Sequence, residues 1–492
     1  MTSFHPTYAV RSLLPIAALL AVSACKASDL EIPNPNNATV AGAVADPTSF
    51  QLLASGLMLE QRATRPGMIT YAGVLGRESY TFQPSEGRNV THPLIGIVVN
   101  GVQKLDPTGF AVAPWAGEYN LLRDIFNFKK TIAAHPTLTA TQKSASLGFA
   151  QTLEAMMLLE IAQTRDTVGA IVEIKENPTD LASFVSRDST YKYVLNTFDA
   201  AYTNLTAGGS AFPFNLHSGF AGFNTPATFA QFNRAMKAKA AANYATAGGG
   251  LTAWTATLSA LGSSFLNGAA ATRAAFDVGV YDPYAASPDV PNPLTQATNT
   301  TLYAHMSFLA DAQLKADGTP DNRYLAKIRT GLPSRQGPVT TDGPTTASST
   351  LGFSIWPTIS STIPLIRNEE LILLRAEARL ATGDKLGAIS DLNNVRMNSG
   401  GLPPTTLTVA NTDDQVLMGI LYEKRYSTMM EGNRWIDMRR YGKLALLPLD
   451  VTSGPNKNFV ARVSPIPAAE CLVRAKSTGD LLGPAGQNNC AP

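Results

Sequence analysis

The sequence predicts a mostly α-helical protein, in which a helical-repeat scaffold carries a large, irregular, loop-rich insertion that holds the binding surface. Three observations predict it. Apolar residues recur at steps of three and four in long segments grouped toward the two ends of the chain. Over Thr206–Asn224, Asn267–Thr300 and Gly331–Ile363 the texture changes to small residues and prolines with few long periodic runs. The 45 % apolar content supplies ample core material, and no stretch beyond the N-terminus is long enough to span a bilayer. No strict 34-residue register is present, so the repeats are read from helix pairing alone.

The N-terminus comes first. Arg11 is the only formally charged residue before Cys25, and Leu13–Val22 is apolar apart from Pro15. With Val22-Ser23-Ala24 directly ahead of the cysteine, this reads as a secretory signal over 1–24. Leu20-Ala21-Val22-Ser23-Ala24-Cys25 also resembles a bacterial lipobox, which implies lipidation of Cys25 after cleavage. Residues 25–45 then read as a tether, because Ile32-Pro33-Asn34-Pro35-Asn36-Asn37 opposes helix and strand alike. Lys26, where an Asp can signal inner-membrane retention, favours the outer membrane.

Residues 46–492 are read as one domain, with scaffold at about 46–247 and 364–445, the loop-rich region at about 248–363 and a tail at 446–492. Expected helices are Pro47–Gln61, Pro114–Thr131, Asp188–Leu205 and Ala227–Ala245, read from apolar spacing, and Thr141–Arg165, which is long and rich in Ala, Leu and Met. Leu251–Leu266 places Trp254, Leu258, Leu261 and Phe265 on one stripe, and Pro364–Ala381, Lys385–Met397 and Asp413–Met430 complete the set. Trp115, Trp254 and Trp435 fall on such stripes or inside a motif, and are read as core.

Charge excludes some functions. Removal of Arg11 with the signal leaves 38 basic against 37 acidic residues, which gives no electrostatic case for nucleic acid. Cys471 and Cys490 remain in a compartment that permits disulfides. A bridge between them would pin the tail and is worth about 3 kcal/mol. The five histidines are scattered, and no metal, nucleophile-elbow or phosphate-loop motif is present, so neither cofactor nor metal is expected.

The C-terminal third carries the ordered motifs. Arg367-Asn368-Glu369-Glu370 leads to Ala376-Glu377-Ala378, and the next predicted helix ends Asn393-Asn394-Val395-Arg396. Glu423-Lys424-Arg425 precedes Glu431-Gly432-Asn433-Arg434-Trp435-Ile436-Asp437, and Pro465-Ile466-Pro467 precedes Glu470. Glu431, Arg434 and Asp437 lie three apart, so one helical face offers an acid–base–acid ladder. An Arg between two carboxylates depresses their pKa values rather than preparing one as a general acid. The reading is therefore a buried ion network joining helices, with Glu370, Glu377 and Arg396 in the same role.

These motifs resemble the SusD/RagB family of outer-membrane nutrient-binding lipoproteins. Departures are Lys424 where the family usually has Arg, Ser427-Thr428 in place of Glu-Leu, and Cys471-Leu472-Val473 after the Pro-Ile-Pro segment. The resemblance implies a tetratricopeptide-like scaffold and a non-enzymatic protein. It implies a lipid anchor on the outer membrane facing the cell exterior, and a TonB-dependent SusC-like transporter as partner. The ligand implied is an oligosaccharide or, in some relatives, a peptide. The rivals are a lipid-anchored scaffold for protein contacts and a tethered hydrolase. Aromatic platforms would hold such ligands. Trp356 is the one tryptophan in a loop-like context; Tyr281 and Tyr284 form a second exposed-looking pair, and Tyr303 is a weaker third.

Overall fold

The computed structural model describes residues 47–109, 114–296, 301–337, 339–340, 343–344 and 347–477. The signal, Cys25, the whole tether and Cys490 lie outside the described residues.

Helix α1, Pro47–Leu75, runs 29 residues, well past the expected end at Gln61. Pro66 sits inside it and cannot donate to the carbonyl of Arg62. That carbonyl instead accepts the Tyr284 hydroxyl at 3.2 Å, so the helix continues. After strand β1, Ser79–Thr81, and the short helix α2, Arg88–Leu94, the first helical group follows. It comprises α3 Ala116–Ala134, α4 Ala140–Arg165, α5 Arg187–Thr206, α6 Pro226–Tyr244 and α7 Gly250–Gly262. Each packs on its sequence neighbour, and α3 also packs on α1. Thr139 with Gln142, and Thr225 with Thr228, form reciprocal capping boxes that fix where α4 and α6 begin. Helix α4 runs between α3 and α5, which is why nearly its whole C-terminal half is buried.

The second group is α8 Asn368–Ala381, α9 Lys385–Asn398, α10 Asp413–Ser427 and α11 Arg434–Arg440, followed by α12 Ala468–Ser477. Helix α8 packs on α9 and α10 and also reaches back to α7, joining the two groups. The fold is mostly helical, as the periodicity predicts. The loop-rich region is stitched by short antiparallel pairs. β2, Gly279–Asp282, pairs with β6, Ile363–Arg367; β3, Leu302–Ala304, pairs with β1; and β4, Ile328–Arg329, pairs with β5, Gly352–Phe353.

Two boundaries differ from expectation. The segment read as the start of a helix at Pro364 is β6, whose Ile363, Leu365 and Ile366 are buried. Pro364 is tolerated there because the register shifts beside it. Helix α10 stops at Ser427 rather than Met430, since Met430 and Gly432 both take positive φ and turn the chain.

Candidate binding site

The charged motif residues meet in the second helical group, almost wholly inside the protein. Lys239 of α6 pairs with Glu370 at 2.9 Å, and Arg396 with Glu423 at 3.0 Å. Lys424 bridges Glu377 at 2.7 Å and Asp437 at 2.8 Å, and Arg440 contacts the same two carboxylates. Burial alone would raise the Asp437 carboxyl, but Lys424 and Arg440 reverse this and hold it below its ordinary value. Arg367 pairs with Glu431 at 2.7 Å and with Glu369, which also takes Arg273 at 2.6 Å. Ser427, one of the departures from the family pattern, donates to Glu369 at 2.7 Å.

The ladder predicted for Glu431, Arg434 and Asp437 does not form. Gly432, at φ +81°, turns the chain between Glu431 and Arg434, and α11 begins only at Arg434. The Arg434 Nε donates to the Gly76 carbonyl at 3.1 Å, and burial together with Arg425 pushes its pKa down to about 9. Glu431 and Asp437 take other cations. The network is buried and paired, but Arg434 is not its link.

Three of the four sequence-predicted aromatics are buried rather than exposed. Trp356 is 1 % exposed and packs 6.2 Å from Phe353 in a core cluster with Tyr426 and Met429. Its flanking prolines and serines resemble a surface loop, yet the β4–β5 pairing turns the segment inward. Tyr284 is buried because its hydroxyl serves the carbonyl that Pro66 leaves free. Tyr303 is buried in β3, 5.6 Å from Phe82. Tyr281 is half-buried, donates its hydroxyl to the Asp277 carbonyl and lines a cleft. Trp115, Trp254 and Trp435 are core residues, as expected.

Two clefts stand out. The larger, about 1020 Å³, lies between α1, α3, the 171–182 loop and α12. Its Trp115 ring is covered by the Arg165 guanidinium at 5.0 Å, and the Tyr119 hydroxyl is spent on the backbone of Ile171. On its wall, burial and a hydrogen bond with Asp124 push the Glu60 carboxyl up to about 7. The second cleft, about 560 Å³, is lined by Phe223, Phe265, Tyr281 and Pro283, with Gln231 and Asp277 as polar groups. Phe223 and Phe265 meet edge-on at 4.9 Å. A side chain on Gly219 would lie 1.8 Å from the Tyr281 carbonyl, so the wall can close this tightly only on glycine. Sequence reasoning placed Phe265 on a helical stripe, but α7 ends at Gly262 and frees it. The Gly262-Ser263-Ser264 run was the available signal.

Among the described residues, no group of three or more His, Cys, Asp or Glu side chains is placed to hold a metal ion, and no helix is long and apolar enough to cross a membrane. His217 and His305 are pushed down to about 4 and about 3, chiefly by burial, which keeps both neutral. Cys471 is buried and disulfide-bonded, with the expected partner, Cys490, outside the described residues.

Residues 299–472 match the model of the SusD family, the segment that holds most of the ion network. Over that segment the chain is similar to the SusD family. A SusD superfamily protein from Bacteroides vulgatus superposes on this chain with a TM-score of 0.62 at 14 % identity, covering 87 % of this chain and 97 % of that one. NanU of B. fragilis gives 0.62 at 15 % identity, covering 92 % and 100 %. A SusD-like carbohydrate-binding protein of B. fragilis gives 0.54 at 15 % identity, covering 91 % and 94 %. At these identities the likeness is one of fold. No curated protein matches the sequence.

Proposed function

We propose that this SusD-like chain is the substrate-binding subunit of an outer-membrane nutrient-uptake complex. It is anchored by lipid at Cys25, captures oligosaccharides outside the cell and caps a TonB-dependent SusC-like transporter, which supplies the energy. One observation carries the reading. The carboxylates of the family segment are paired with one another's cations in the interior, so the segment serves as scaffold and leaves recognition to the clefts. A relative of the same fold is described as carbohydrate-binding, which favours glycan over peptide. Nothing in the network resembles a poised acid–base pair, which argues against the tethered hydrolase.

The test combines location with binding. Wild-type protein should fractionate with membranes and co-purify with a barrel protein, whereas Cys25→Ser should be released, since stable anchoring rests on the acyl chains. Calorimetry should detect a neutral oligosaccharide that is not consumed during the measurement. Retention of Cys25→Ser in the membrane, binding of peptides only, or turnover of the sugar would each reject a part of the proposal.

A further inference from the structure

The second cleft combines aromatic surface with a single charged group whose position is fixed from below. Among the described residues lining it, Asp277 alone is charged. Arg273 grips its carboxylate bidentately, Nε to Oδ2 and Nη2 to Oδ1, both at 2.7 Å. Arg273 is itself held by Glu369 at 2.6 Å and by the Ser399 hydroxyl at 3.0 Å. Arg367 approaches the same carboxylate at 3.6 Å. The buried network of the family segment thus extends to the cleft and stops at Asp277, whose side chain remains 44 % exposed.

The chemistry of that arrangement is specific. A carboxylate offers about four lone-pair sites, and the bidentate Arg occupies two of them. The others can accept hydroxyl hydrogens, and the clamp means no side-chain freedom is lost when they do. Phe265 and Tyr281 are half-buried and Phe223 lies beneath them, giving the mixed apolar surface that the C–H face of a pyranose covers. Gln231 adds an amide donor and acceptor at the wall. The volume of about 560 Å³ lies within the range of small-molecule sites, roughly 300–1,000 Å³. Among the described residues, no cation lines the cleft to meet an acidic sugar.

We infer that this cleft is a saccharide subsite, in which a neutral pyranose packs on Phe265 and Tyr281 while two adjacent hydroxyls bond the clamped Asp277 carboxylate. The inference rests on the carbohydrate-binding reading above and adds its location and selectivity: neutral sugars enter and uronic acids are refused.

The experiment is calorimetry on the full chain with cellotetraose, maltotetraose, mannotetraose and galactotetraose, and with tetragalacturonic acid as the charged comparison. The variants are Asp277→Asn, Phe265→Ala and Gln231→Ala. At least one neutral tetrasaccharide should bind, with tetragalacturonic acid at least tenfold weaker than galactotetraose. Phe265→Ala and Asp277→Asn should each weaken binding tenfold or more, and Gln231→Ala about threefold. If Asp277→Asn disturbs the clamp and unfolds, Phe265→Ala and Gln231→Ala decide, because neither touches the ion network. Neutral sugar binding left unchanged by Phe265→Ala and Gln231→Ala overturns the subsite and leaves the carbohydrate reading standing. Binding of tetragalacturonic acid as tight as galactotetraose overturns the selectivity. Failure of the wild type to bind any sugar while it binds peptides overturns both.

Discussion

Lys424→Met should be a costly single change in the charged interior. Lys424 and Arg440 together balance Glu377 and Asp437, and the Lys424 side chain is only 4 % exposed. Methionine keeps the stem's volume and removes one cation, leaving two buried carboxylates with one positive partner. Breaking a buried pair from one side costs about 3–5 kcal/mol, mostly as the desolvation of the charge left behind. With unfolding entropy of about 2.1 cal/mol/K per residue, a chain of 492 residues loses about 1 °C of melting temperature per kcal/mol, so a fall of about 3–5 °C is expected. Scanning calorimetry measures it. Lys424→Met/Asp437→Asn should recover at least half of the loss, because one cation then faces one carboxylate. A single variant melting within 1 °C of wild type, or a double variant no better than the single, would refute the charge argument.

Two further outcomes follow from burial. Trp356→Ala should cost about 3–5 kcal/mol, as large-to-small changes in packed cores do, and leave saccharide affinity intact; an unchanged melting temperature would return Trp356 to the surface. Burial pushes the Asp282 carboxyl up from 3.8 to about 7, so the folded state holds a proton there that the unfolded chain has released. Its contribution to stability is therefore full below about pH 4, falls as pH rises toward 7 and is level above that. Asp282→Asn should lose less melting temperature than wild type between pH 5 and pH 8, and parallel losses would refute the assignment. Glu78 and Glu118, both also pushed up to about 7 by burial, keep some decline in the variant.

What the sequence made legible was local periodicity. The α5 and α6 stripes and the buried state of Trp115 and Trp254 follow from spacing, and that of Trp435 from its place inside a motif. The ion-paired state of Glu370, Glu377 and Arg396 was also readable, because charges at helical spacing among apolar residues have few other places to go. Partners were not readable. Arg434 sits three residues from two carboxylates and bonds the Gly76 carbonyl just past the end of α1, because a single positive-φ glycine redirects the chain. Trp356 carries the composition of a loop and the burial of a core residue, since what covers it comes from strands and helices far away in sequence. The second cleft was half visible: Tyr281 was singled out, whereas Phe223 sat in a stretch read only as small and irregular, and Phe265 was credited to a helix that ends before it.

Pro66 and Tyr284 stand 218 positions apart and share one carbonyl. In evolutionary terms they form a pair that must drift together. A proline entering α1 without a phenol opposite would bury an orphan acceptor, at about 1–3 kcal/mol. Loss of the phenol while the proline stays exacts the same cost. Replacement of Pro66 by an ordinary helix former would free Tyr284 to vary, because the backbone would again supply its own donor. Related chains that keep the proline should therefore also keep the phenol, and an alignment deep enough to count them would reveal the loop-rich insertion tied to the first helix.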